Sequence, residues 1–291
     1  SILERTMGDY FIPKMRYTYT YTSPATLRNP IRWETTVEES GNVLSLYDRL
    51  RGKPFDEKYK ELYKTPYSQY LRLETDFTKT WSVGMESSLV GHVNAGIIWS
   101  YGNSYEAPLT EQFYVGGANT IRAFLVRDIG PGSFSDLGIE DKQLFYLMRN
   151  GDMKLVANLE YRTPLFVNLK GAIFLDAGNV WRLRPFDIGP KEEWINEEFV
   201  DEDGNKYSGE EAYAIMRLWT DGMTFRASRF INDIALGTGV GLRYDMGFLV
   251  IRLDWGWALH IPCDNGVSGY FFNVKRFKDL HTLNFAIGYP F

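Results

Sequence analysis

The chain has 291 residues and a formal net charge of -5, with 44% hydrophobic and 24% charged residues. The acidic balance and the lack of a basic stripe argue against a nucleic-acid partner. No apolar run approaches the ~20 residues of a spanning helix. Aromatics are rich, at 19 Tyr, 19 Phe and 8 Trp. Tyr and Trp suit the headgroup girdles of a membrane barrel, because each ring carries a polar tip. The opening SILERTMGDYF holds no charged segment leading into an apolar one, so no signal peptide is expected there. It reads as the middle of something longer. Cys263 stands alone, so no disulfide forms within these residues and an incidental loop thiol is expected.

Two-residue alternation runs from end to end, the mark of strands with unlike faces. Strands are predicted near 13–24, 29–40, 69–82, 88–103, 153–164, 169–181, 233–246, 248–260 and 281–291. In the first, Tyr17, Tyr19 and Tyr21 alternate with threonines. In the third, Leu71, Leu73 and Phe77 alternate with Arg72, Glu74 and Asp76. Val93, Ile97 and Trp99 then oppose His92, Asn94 and Gly96. Leu155, Leu159 and Tyr161 oppose Asn158, Glu160 and Arg162, and Ile173 and Leu175 oppose Phe174 and Asp176. Leu236, Val240 and Leu242 alternate with Gly237, Gly239 and Gly241, and Leu253 and Trp255 with Arg252 and Asp254. The last strand sets Leu283, Phe285, Ile287, Tyr289 and Phe291 against Asn284, Ala286, Gly288 and Pro290.

Alternation alone does not say which face is outside. The connections do: short turns alternate with long loops at 41–68, 104–152, 182–232 and 261–280. An up-and-down barrel with tight turns at one rim and long external loops at the other has that rhythm. The fold expected is all-β, a transmembrane up-and-down antiparallel β-barrel. Nine strands is an odd count, and an open barrel leaves edges that lipid does not tolerate. Either the count is off or the N-terminal part of the barrel lies upstream; the abrupt start favours the second, and the fragment is then not expected to fold alone.

Residues 112–132 read QFYVGGANTIRAFLVRDIGPG, with Gly116 and Gly117 ahead of Arg122, Ala123 and Phe124. IFLDAGNVW adds Phe174, Asp176 and Gly178 on a strand, and the terminal strand adds Gly288 and Phe291. These three motifs, in this order, resemble the C-terminal barrel of the BamA/TamA outer-membrane assembly superfamily. The resemblance implies the C-terminal part of a sixteen-stranded barrel, preceded by periplasmic domains absent from this chain. It also implies a loop folded back into the lumen with Arg122 near its tip, and a first-to-last strand seam that parts sideways. The family usually has Gly where Ala123 stands, so the backbone there is expected to differ slightly.

Glu160 and Asp176 lie on the polar faces of successive strands, and a guanidinium offers carboxylates a planar fork of donors. Arg122 is expected to pair with one or both, with Phe124, Phe174 and Gly178 alongside. The alternatives are a solvated loop charge for Arg122, and Arg162 or Arg243 as the partner of Glu160. Gly288 weakens a strand and Pro290 donates no ladder hydrogen bond, which suits a weak seam. Gly237, Gly239 and Gly241 fit space for an inserted loop better than a phosphate site. The acidic stretch in 182–232 is expected as a solvated loop with a short helix near 209–218.

His92, His260 and His281 form no nucleophile or metal pattern, so no catalysis, metal or cofactor is expected. The function implied is insertion or translocation of proteins at the bacterial outer membrane. Its partners would be the lipid bilayer, unfolded outer-membrane protein clients and accessory lipoproteins. The competing readings are a passive pore and a barrel anchoring an upstream hydrolase domain.

Overall fold

In a computed structural model, residues 9–24, 26–55, 57–58, 60–134, 148–185, 188–194, 198–200, 206–262, 269–271 and 280–291 are described, save the side chains of 193–194, 198–200 and 219. Cys263 lies outside them. Nine strands form one antiparallel sheet in chain order. They are β1 (Lys14–Thr22), β2 (Ile31–Ser40), β3 (Tyr70–Val83), β4 (Ser87–Ser100), β5 (Met153–Phe166), β6 (Leu169–Trp181), β7 (Ala235–Asp245), β8 (Val250–His260) and β9 (His281–Ile287). The tight turns lie at one rim, one of them carried by Asn168 in the left-handed region at φ 65°. Helices α1 (Asn42–Leu50) and α2 (Gly209–Gly222) belong to the long connections at the other rim. α1 falls inside the segment 41–68, expected as loop throughout. No helix among the described residues is long and apolar enough to cross a membrane.

The faces of the sheet are inverted relative to a water-soluble sandwich. Trp33, Leu73, Phe77, Trp99, Leu159, Ile173, Leu175, Val240, Leu242, Leu253, Trp255, Leu283 and Phe285 are all exposed. The opposite face buries Glu38, His92, Asn158, Glu160, Asp176, Arg243, Arg252 and Asp254. Water would drive those apolar side chains inward, whereas lipid welcomes them, and the polar face then lines a lumen.

The sheet curls strongly: Phe291, just past β9, stacks on His92 of β4 with ring centroids 4.8 Å apart. At the long-loop end the lumen holds an apolar plug. Phe113, Val115, Ile121, Phe124 and Ile129 of the segment between β4 and β5 pack on Tyr70, Ile98, Val156 and Val180 of the wall. A second cluster, with Phe134, Met148 and Ile188 against Ala212 and Met216 of α2, forms in the outer connections. Among the described residues, β1 pairs only with β2, and β9 only with β8.

One expectation needs correction. β9 ends at Ile287, not Phe291. Gly288 takes φ 85°, a conformation that costs glycine little, and the chain leaves the pleat there. Tyr289 and Phe291 therefore do not extend the lipid face. The Arg162 guanidinium lies 4.5 Å from the Tyr289 ring centroid, and the Lys170 Nζ donates to the Tyr289 hydroxyl at 3.4 Å. Cation–π attraction to lumenal guanidiniums competes with continued strand pairing and holds the tail inside.

The lipid face makes a prediction. Leu175→Arg in the complete protein should cost about 2–4 kcal/mol if it lies near the bilayer midplane. Urea unfolding in lipid vesicles measures the loss, and an unchanged midpoint would contradict a lipid-facing position.

Candidate functional site: the lumenal arginine and the last strand

The inserted segment is held by its own backbone before any side chain reaches the wall. Phe113 and Gly151 exchange N–H to carbonyl bonds of 2.9 and 2.8 Å. Further in, the Arg127 N–H donates to the Val115 carbonyl at 3.0 Å and the Gly117 N–H to the Phe124 carbonyl at 2.8 Å. Gly116 has φ 104°, and a Cβ there would stand 2.0 Å from the Leu125 carbonyl oxygen. Only glycine permits so narrow a neck. Thr120 closes it, accepting from the Gly116 N–H at 2.9 Å and donating to the Gly116 carbonyl at 2.8 Å.

Arg122 projects from this tip and is fully buried. Its Nε and Nη2 donate to the two oxygens of Asp176 at 2.8 and 2.7 Å, and its backbone N–H reaches the same carboxylate at 3.0 Å. Its Nη1 donates to Glu160. The guanidinium also lies 3.7 Å from the Phe174 ring centroid. Both proposed carboxylates are thus partners, and the alternatives for Glu160 hold as well: Arg162 donates to it at 2.7 Å and Arg243 at 3.1 Å. Asp176 has a further donor in Asn158 at 2.8 Å.

Close approach makes the site. A Cβ on Gly237 would lie 2.5 Å from that of Ala123, and one on Gly256 would lie 2.8 Å from the Arg122 carbonyl oxygen. On Gly178 it would meet the Leu155 carbonyl oxygen at 2.3 Å and Ile121 at 3.1 Å. Ala123 is buried and is not among the residues with positive φ. Its methyl group therefore costs no backbone strain. Phe124 is buried in the apolar plug.

Sequence reasoning named Arg243 but missed its further partners, and it missed a second set of residues. Arg243 donates to Asp254 at 2.5 Å, and Arg252 donates to Asn119 of the tip at 2.7 Å. This extends the polar cluster onto β8. The other set is on β9: Thr282 and Asn284 donate to the Arg122 carbonyl at 2.6 and 2.7 Å. Their polar-face positions were legible in the alternation, but their common acceptor was not. Of the terminal residues, Phe291 comes within 5.7 Å of the Arg122 guanidinium, Pro290 is buried, and Gly288 donates to the Val250 carbonyl at 2.8 Å.

Outside the strands, Tyr67 donates to Asp48 of α1 at 3.1 Å. Burial and that carboxylate hold its hydroxyl well above the usual tyrosine range, so it remains a donor through mildly alkaline pH.

Residues 61–291 match the Omp85 superfamily domain. The chain belongs to the Omp85 superfamily. It is accordingly part of an integral outer-membrane β-barrel, and the exposed apolar belt is its lipid face. The fold is also similar to a crystal structure of BamA from Haemophilus ducreyi lacking POTRA domains 1-3, at 14% identity and a TM-score of 0.44. That match covers 95% of this chain and 55% of the other, so this Omp85 chain spans about half the length of that relative.

Two variants separate charge from space. Arg122→Ala leaves Asp176 buried without a cation, while Glu160 keeps Arg162 and Arg243. Losing one member of a buried pair costs about 3–5 kcal/mol, and Arg122→Lys should recover only part because it lacks the fork. Gly237→Val keeps every charge yet displaces Ala123. Both Arg122→Ala and Gly237→Val should open the 104–134 segment to protease in membranes holding the complete protein. Resistance equal to wild type in both would refute the docking.

Proposed function

We propose that this chain is the C-terminal part of a barrel that inserts or translocates other proteins at the outer membrane. The edge of β9 would serve as the template and the inserted segment as the element that sets its position. The observation that carries the reading is the double attachment of Arg122. Its guanidinium is ion-paired to β5 and β6, while its carbonyl accepts from Thr282 and Asn284 on β9. The inserted tip thus joins a fixed wall to β9, a strand with one edge unpaired among the described residues. No bond chemistry is needed: an incoming client strand gains main-chain hydrogen bonds by adding to that edge.

The short pairing of β9 supports the same role. It meets β8 over seven residues, from Trp257↔His281 to Ile251↔Ile287, whereas β3 and β4 pair over fourteen. Fewer ladder bonds make β9 the easier strand to move. Unfolded outer-membrane proteins are the proposed clients.

A photo-reactive phenylalanine at Leu283, Phe285 or Ile287 of the complete protein should cross-link to a client during its assembly. The same label at Ile97 in the sheet centre should not. Thr282→Val combined with Asn284→Leu should alter the yield at Phe285 while the barrel still folds. Equal capture at Ile97 and Phe285 would overturn the templating role.

A further inference from the structure

Helix α1 is inverted. A helix on the surface of a water-soluble protein turns its apolar stripe toward the core. In α1, Val43, Leu46, Tyr47 and Leu50 recur at the spacing of one helix face, and all four are exposed, Leu50 to 80%. The opposite face carries Ser45 and Asp48, which are buried. That face is occupied by hydrogen bonds: Asp48 accepts from Tyr67 at 3.1 Å and pairs with Lys53 at 3.3 Å. At the start of the helix, the Asn42 side chain accepts from Gln69 at 3.2 Å and from Tyr101 at 2.8 Å. The polar side is therefore bound to the protein, and the apolar side has been turned away from it.

The position of the helix says what it faces. α1 begins two residues past Ser40, the last residue of β2, and the Gly41 N–H donates to the Pro13 carbonyl just before β1. The lipid face of these two strands carries Met15, Tyr17, Trp33 and Val37, all exposed. α1 thus stands at the long-loop end of the two strands that carry this belt, and its own apolar stripe is exposed as the belt is. Charge agrees with the place. Residues 42–53 hold Arg49, Arg51 and Lys53 against the single acid Asp48, and Asp48 is buried toward the protein. Arg49 and Arg51 are exposed, with the Arg51 guanidinium 5.5 Å from the Tyr47 ring centroid. An apolar face flanked by exposed cations and a tyrosine is the composition of a helix lying in an anionic membrane surface.

We propose that α1 is an interfacial helix, which beds Val43, Leu46, Tyr47 and Leu50 at the headgroup–acyl boundary of the leaflet on the long-loop side and sets Arg49 and Arg51 against lipid phosphates. This helix would fix the height of β1 and β2 in the bilayer, because Gly41 joins it to β2 without a flexible linker.

The test uses the complete protein with Cys263→Ser, reconstituted in vesicles of phosphatidylcholine and phosphatidylglycerol. A nitroxide is attached in turn at Leu46→Cys, Leu50→Cys and, as a water-exposed control, Glu61→Cys. These positions are at the surface, and a heat-modifiable band verifies that each variant has folded. Collisions with oxygen, which concentrates in lipid, are compared with collisions with a water-soluble nickel chelate. The oxygen-to-nickel ratio should be severalfold higher at Leu46 and Leu50 than at Glu61, and should fall when Arg49→Gln and Arg51→Gln are combined. A ratio at Leu46 equal to that at Glu61 would overturn the proposal by placing the helix in water. Exclusion of both reagents would also overturn it, since another part of the protein or a second copy would then cover the stripe. A ratio unchanged by the arginine substitutions would refute the contact with lipid phosphates.

Discussion

A guanidinium buried in a lumen surrounded by lipid has nowhere to go but to carboxylates, and the inner architecture of this chain is organised around that requirement. Arg122 gives both ends of its fork to Asp176 and a third donor to Glu160, at zero exposure. Glu160 in turn collects Arg162 and Arg243, and Arg243 collects Asp254. Each charge is tolerable only because the next is in place, since an isolated buried ion is far more costly than a paired one. The cluster ties together β5, β6, β7, β8 and the inserted segment. Its contribution is to fix one position of that segment rather than to add net stability, which the desolvation of so many charges largely offsets.

The site also depends on absent side chains. Gly237, Gly256 and Gly178 each stand where a methyl group would strike the inserted segment or its neighbours. Glycine weakens a strand interior, so this stripe trades ladder quality for close backbone approach. The trade is available because the outward faces of the same strands are anchored by lipid contact through Leu175, Val240 and Trp255. The Ala123 methyl marks how fine the clearance is: it fits only because Gly237 faces it.

The last strand joins this arrangement from the far side. Thr282 and Asn284 turn the Arg122 carbonyl into a shared acceptor. Beyond Gly288 the tail turns inward, with Tyr289 against Arg162 and Phe291 against His92. β9 is therefore held by one strand ladder on one edge and by lumenal contacts at its polar face and its end. These contacts attach β9 to the inserted segment as well as to β8, which links the arginine cluster to the proposed templating edge.

The strands, their faces and their up-and-down order were legible in the sequence, because a two-residue period is a local property and survives without knowledge of neighbours. The pairing of Arg122 with Asp176 and Glu160 came within reach only with the family resemblance, which puts Arg122 on an inserted loop opposite the polar faces that carry both carboxylates; the residues alone left a solvated loop charge as the plainer reading. Tertiary structure alone decided the rest. Thr282 lies 160 residues from Arg122 along the chain, and only the curl of the sheet brings the two together. The sequence continues its alternation through Tyr289 and Phe291, yet one left-handed glycine and a set of lumenal cations redirect both rings. Val43, Leu46, Tyr47 and Leu50 spell a helical stripe, but period does not say which way a stripe faces. Asp48 and Asn42, bound by Tyr67, Gln69 and Tyr101, turn the polar side inward and so leave the apolar side to the membrane.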